Sequence, residues 1–159
     1  MKDVDRVVGI GEYVITNNRE DVIKTYALAS CVAITIYSPV NCVAAMAHIV
    51  LPYHKDVFHK VSQPCYYAET AIPLLIRKMC LEYGCRKNEL LIELFGGARS
   101  IKGNDMFHVG YQNITMIERI LQLEKLRYTD REIGGTNSRT VIFDVATGKK
   151  KVITQPLII

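Results

Sequence analysis

Apolar positions follow two kinds of spacing along this chain, one of strands and one of helices. From Val7 to Thr16 the pattern reads as extended, with Gly9 and Gly11 marking a bend and Asn17-Asn18 a turn. Ile23 to Tyr37 is rich in β-branched and aromatic residues and closes at Ser38-Pro39, which predicts two short strands or one long, bent one. Val43 to Leu51 reads as a buried strand ended by Pro52. The short separation around Pro39-Val40-Asn41 makes an antiparallel hairpin of these strands. Between Tyr66 and Tyr83 the period becomes helical: Ala68, Ala71, Ile72, Leu75, Ile76, Met79 and Cys80 recur at three- and four-residue steps. Gly84 supplies the stop, and Pro73 kinks the helix or marks where its regular part begins. Glu89 to Phe95 is a strand, followed by a Gly96-Gly97 loop. Asn113 is the expected N-cap of a second amphipathic helix carrying Ile114, Ile117, Ile120, Leu121 and Leu123. After Gly134-Gly135, strands over Arg139 to Val145 and Lys150 to Thr154 flank the turn Ala146-Thr147-Gly148. Two main helices with about seven strands, mostly antiparallel, predict an α/β sandwich of the α+β class. No linker, repeat or low-complexity tract divides it, so residues 1–159 are expected to form a single domain.

Composition narrows the functional classes. The chain has 159 residues, enough to bury roughly 70% of its unfolded surface without disulfides or a structural metal. Apolar residues are 49% and charged residues 23%, which excludes disorder. No apolar run approaches the ~18 residues of a membrane span, and Met1 to Asp5 lacks a signal-peptide core. A soluble, cytoplasmic protein without direct membrane insertion is expected. The excess of 20 Lys and Arg over 16 Asp and Glu is small. Its densest cluster, Lys149-Lys150-Lys151, sits beside a turn and reads as a solvated hairpin end rather than a nucleic-acid patch. Five cysteines (Cys31, Cys42, Cys65, Cys80, Cys85), odd in number and without CxxC spacing, fit neither a disulfide framework nor a zinc knuckle. They are expected to be thiols.

The chemistry then rests on histidines and one cysteine. His48, His54 and His59 lie close in sequence, but their spacing matches no zinc helix or finger, and no metal site is expected. His54 and His59 fall in a polar stretch where exposure is the default. His108 lies in a loop beside Asn104 and Asp105 and has no evident partner. Cys31 follows Ser30 at the junction of two predicted strands, where a bend can present a side chain and a backbone amide together. His48 sits within the apolar strand from Ala44 to Leu51, where a buried imidazole must find a partner. The hairpin brings Cys31 and His48 within reach of one another. On composition alone, a packed cysteine and a satisfied core histidine remain the better reading.

The string Thr25-Tyr26-Ala27-Leu28-Ala29-Ser30-Cys31-Val32-Ala33 resembles the T-x-G-L-G-S-C-V-A segment of CheD, the chemoreceptor glutamine deamidase family of bacterial chemotaxis. Further matches follow in order. They are Gly9-Ile10-Gly11-Glu12-Tyr13; Ala45 to His48 with Leu51-Pro52; Tyr67 to Ala71; and Gly96-Gly97-Ala98. Val109-Gly110 with Asn113, Gly134-Gly135, and Arg139 to Val141 with Thr147 to Lys149 complete them. The resemblance implies that Cys31 is a nucleophile, His48 its base and Thr25 the third member. It implies deamidation of receptor glutamines through a thioester, and hydrolysis of glutamyl methyl esters, with no metal or organic cofactor. It also implies two partners, the cytoplasmic helices of chemoreceptors and the CheC phosphatase that acts on phosphorylated CheY. An alternative is a catalytically weak chain that acts only as the stimulating partner of CheC.

Ser30, Gly96 and Gly97 are further candidates for oxyanion or substrate contact, with the Cys31 amide the leading oxyanion donor. Ile101, an apolar residue among Arg99, Ser100 and Lys102, is the candidate for partner docking; folding back onto the core is its alternative. Two departures carry consequences. Ala27 and Ala29 stand where the family has glycines, and a position that needs positive φ makes alanine cost roughly 1 kcal/mol. Gln112 stands where an arginine is usual.

Overall fold

The computed structural model describes residues 4–54, 63–101 and 108–157. In chain order the elements are β1 (Val4–Val7), β2 (Tyr13–Thr16), β3 (Asp21–Leu28), β4 (Val32–Ser38), β5 (Val43–Ile49), α1 (Ala68–Tyr83), β6 (Leu91–Gly96), α2 (Val109–Leu123), β7 (Thr129–Ile133), β8 (Asn137–Asp144) and β9 (Lys150–Pro156). A four-stranded sheet runs β1-β3-β8-β9 and a five-stranded sheet runs β2-β5-β4-β6-β7. Pairings are antiparallel except for β1 with β3 and β6 with β7. The expected α+β sandwich is therefore present.

The two predicted strands within Ile23 to Tyr37 belong to different sheets, β3 to the smaller and β4 to the larger. The link Ala29-Ser30-Cys31 thus crosses from one layer to the other. β4 and β5 form the expected antiparallel hairpin and are buried along their whole lengths. One face of the pair, with Val32, Ile34, Ile36, Ala45 and Ala47, packs under α1 and α2. The other, with Ala33, Tyr37, Ala44 and Met46, packs against Ile23, Leu28, Val141 and Phe143 of the smaller sheet. Burial on both faces explains why these strands read as continuous apolar runs rather than alternating ones.

Several expectations are corrected. Asn113 does not cap α2. The helix begins at Val109 after His108, and Asn113 is fully buried inside it. Its short amide serves backbone carbonyls of other elements, a use that the capping preference of asparagine conceals. Pro73 does not mark the start of α1, which begins five residues earlier at Ala68 and runs through the exposed proline to Gly84. β7 carries no alternating apolar pattern because it is a largely exposed edge strand, and it was not expected. Lys150 is not solvated like its neighbours: its side chain is 6% exposed, ion-paired to Glu93 and seated over the Phe143 ring.

Candidate active site

Three elements from two sheets build the site. The β4–β5 register sets Ala33 opposite His48. Cys31, two residues before Ala33, shares its face, so Cys31 and His48 are diagonal neighbours pointing towards the smaller sheet. From that sheet β3 presents Thr25, fully buried, against His48, which is 4% exposed. Thr25 Oγ1 lies 2.7 Å from His48 Nδ1 and 2.7 Å from the Val8 carbonyl oxygen. The carbonyl can only accept, so the single hydroxyl proton goes to Val8. Thr25 Oγ1 must then accept from His48 Nδ1–H, which leaves the lone pair on Nε2. The His48 backbone is held as well, donating to the Glu12 carbonyl and accepting from Gly11 N–H.

Burial governs the titration of both groups. It pushes the Cys31 thiol up to about 11 and His48 down to about 4. Each is neutral near pH 7 when it titrates alone, and no hydrogen bond joins them among the described residues. The resting site is a thiol beside a neutral imidazole whose tautomer is already chosen.

A bulge in β3 decides which residues face inward. The β3–β8 register shifts between Thr25 and Leu28, so both are buried while Tyr26 and Ala27 between them are exposed. Ala27 sits at φ 55°, in the left-handed region, whereas Ala29 does not have positive φ. Only the first of the two alanines therefore stands where glycine is favoured on conformational grounds.

The cysteine turn is braced from below by the end of β6. Gly97 N–H donates to the Cys31 carbonyl at 2.9 Å, and Ala98 N–H to the Ala29 carbonyl at 2.7 Å. A Cβ on Gly96, at φ 108°, would stand 2.3 Å from the Cys31 carbonyl oxygen; one on Gly97, at φ 68°, would stand 2.5 Å from Ile114 Cγ1. These glycines let the two backbones meet. The Gly97 N–H is thereby engaged by the Cys31 carbonyl. Ser30 gives its carbonyl to Asn113 Nδ2 at 2.9 Å, and the same amide nitrogen reaches the Val50 carbonyl at 2.9 Å. The Cys31 N–H has no acceptor among the described residues. Asn113 and the Val8 carbonyl also contact these residues, and the sequence does not single out either one for the site. The asparagine had a signal only in the Val109-Gly110 segment, and a carbonyl oxygen has none.

Other candidates lie apart. His54 packs edge-on against Tyr67, with ring centroids 4.9 Å apart. His108 precedes α2 in a left-handed conformation and is exposed. His59 falls outside the described residues. Among the described residues no three His, Cys, Asp or Glu side chains are grouped as metal ligands. Cys65 is buried, and its thiol is pushed up to about 12. Ile101 is 58% exposed rather than folded onto the core. No helix among the described residues is long and apolar enough to cross a membrane.

Comparison with known proteins adds an independent line. A structure of the hypothetical protein YfiH from Bacillus licheniformis superposes with a TM-score of 0.50 at 9% identity, covering 83% of this chain and 61% of that one. At that identity the likeness concerns the fold alone. The family model described as CheD chemotactic sensory transduction matches residues 50–154, a span beginning just after His48. A protein of Syntrophotalea carbinolica named "Probable chemoreceptor glutamine deamidase CheD" is 39% identical over 147 residues, covering 91% of this chain and 90% of its own. One of Syntrophus aciditrophicus, named "Probable chemoreceptor glutamine deamidase CheD 1", is 33% identical, with 91% of each chain covered. With likeness of that extent running through the cysteine turn, the histidine strand and the glycine loop alike, the chain belongs to the CheD family.

Proposed function

We propose that this protein deamidates glutamine side chains of chemoreceptors, with Cys31 as nucleophile, His48 as general base and acid, and Thr25 as the residue that orients His48. The observation that carries this reading is the Thr25–His48 contact at 2.7 Å with Cys31 diagonal to His48 on the same face. A histidine held in one tautomer, with its free lone pair beside a lone thiol, is the arrangement acyl transfer needs.

The two neutral groups exchange a proton during the reaction rather than before it. As the glutamine amide enters, His48 Nε2 takes the Cys31 proton and Sγ attacks the amide carbon. The oxyanion is met by the Cys31 N–H, the amide left without an acceptor. Collapse expels ammonia, which carries away the proton that His48 held. Water, deprotonated by His48, then attacks the thioester and releases glutamate and the thiol. A glutamyl methyl ester follows the same course with methanol leaving. Atoms balance with water as the sole co-substrate.

Replacing Cys31 with Ala is expected to abolish ammonia release from a receptor cytoplasmic fragment and leave the fold intact. His48→Ala is expected to lose at least 10²-fold, the range of general acid–base catalysis. Iodoacetamide labelling with mass spectrometry checks the nucleophile; activity lost in step with alkylation of another cysteine refutes it.

One observation favours a second reading, that of a stimulating partner of CheC with weak catalysis. Ala27 holds a left-handed conformation in the bulge that places Thr25. Under either reading the exposed Ile101, beyond the glycine loop, docks a helix of receptor or CheC. Complex formation with CheC without ammonia release favours the second; ammonia release that depends on Cys31 favours the first.

A further inference from the structure

We infer that Asn113 is a positioning residue for the oxyanion donor: by gripping the Ser30 carbonyl it sets the plane of the peptide that carries the Cys31 N–H. The inference rests on the deamidase reading and adds to it a residue from the helical layer.

Asn113 is fully buried within α2, and both polar groups facing it at 2.9 Å are carbonyl oxygens, those of Ser30 and Val50. Carbonyls accept only, so nitrogen rather than oxygen must face them, and the orientation of the side-chain amide is fixed. Its Oδ1 is buried and has no donor among the described residues. An unpaired buried acceptor weakens a fold, so a residue kept for packing alone would be better apolar. What the asparagine supplies is its two N–H groups.

Those groups act on two backbone points of the site. Val50 lies two residues beyond His48, just past the end of β5. The Ser30 carbonyl and the Cys31 N–H belong to one planar trans peptide, in which they point in opposite directions. Holding the carbonyl towards α2 therefore turns the N–H away from it, and Cys31 packs with the inter-sheet cluster on that far side. The next peptide is fixed too, through the Cys31 carbonyl and Gly97 N–H. A hydrogen bond to the carbonyl also polarises the peptide and strengthens its N–H as a donor. Asn113 thus prepares a donor it never touches.

The test separates chemistry that builds an oxyanion from chemistry that does not. Asn113→Ala and Asn113→Asp are compared with the native chain for kcat and KM of ammonia release from a chemoreceptor cytoplasmic fragment. The rate of Cys31 alkylation by iodoacetamide is followed across pH, together with the melting temperature. Displacement of iodide needs the thiol and the base but no oxyanion donor. The expected result is a fall in kcat of roughly 10- to 100-fold, below the 10²–10³ of deleting a donor outright. KM and the alkylation profile stay unchanged, and the Cys31 amide nitrogen resonance shifts. Native kcat in Asn113→Ala overturns the inference. So does a parallel loss of alkylation and turnover, or a chain unfolded at the assay temperature, since Asn113 would then serve stability. No ammonia release from the native chain would instead sink the deamidase reading, while the resonance shift still reports on Asn113.

Discussion

Two alanines two residues apart should respond to glycine with opposite signs. Ala27 lies at φ 55° and is exposed, so Ala27→Gly removes the left-handed penalty and no buried contact. That penalty is about 1–2 kcal/mol for an L-residue with a Cβ. Glycine returns about 0.4–1 kcal/mol of it through the greater freedom of the unfolded chain. The net gain is about 0.5–1 kcal/mol. Ala29 does not have positive φ, so Ala29→Gly bears the unfolded-state cost of about 0.4–1 kcal/mol with nothing to offset it. At about 2–4 °C per kcal/mol for a chain of this size, Ala27→Gly should melt about 1–4 °C higher than the native protein. Ala29→Gly should melt lower by a similar amount. Thermal denaturation followed by circular dichroism reads both. Shifts of the same sign in the two variants would refute the assignment of strain to the bulge.

Thr25→Val leaves the Val8 carbonyl and His48 Nδ1–H without their shared hydroxyl, and should cut ammonia release about 10-fold or more, whereas Thr25→Ser should restore most of it. His48 is held at about 4, below the ordinary 6.5, so the unfolded chain binds its proton first as pH falls. Stability present above pH 6.5 should be lost between there and pH 4, by at most roughly 3 kcal/mol, and urea midpoints should show His48→Gln flattening that loss. Gly96→Ala forces a Cβ onto the Cys31 carbonyl oxygen, and should lower the melting temperature sharply and slow alkylation of Cys31. Ile101→Asp should leave the melting temperature within a degree or so, because the side chain is 58% exposed, and should weaken receptor deamidation and CheC binding together; a large drop in melting temperature would contradict its exposure.

Much of the architecture was legible because the chain obeys local rules. The 3.6 period of α1, its glycine stop and the β4–β5 hairpin all follow from nearest-neighbour chemistry. The separation of β3 and β4 into different sheets was not legible, because sheet membership is decided by β8, a partner remote in sequence. Cys31 and His48 drew notice as a lone thiol at a bend and a polar residue in an apolar strand. Thr25 had no such signal: a threonine in a strand is unremarkable until its hydroxyl is found between a carbonyl and an imidazole. Asn113 was misread because asparagine before an apolar run has two uses, and only the tertiary setting selects between them. The bulge at Ala27 had no signal in the residue itself, since alanine masks a backbone conformation that glycine would have advertised; only the family's glycine at that position pointed to it.

The crossing of Thr25 to His48 between layers ties the orientation of the imidazole to the order in which the chain emerges during synthesis. Thr25, Cys31 and His48 leave the ribosome early, yet β3 is held between β1 and β8, and β8 (Asn137–Asp144) is made long afterwards. Until β8 arrives, the strand bearing Thr25 has only the short, exposed β1 beside it. A nascent chain that already contains all three residues therefore still lacks the oriented imidazole. On the proposed mechanism, Cys31 gains an oriented base only when the second layer closes.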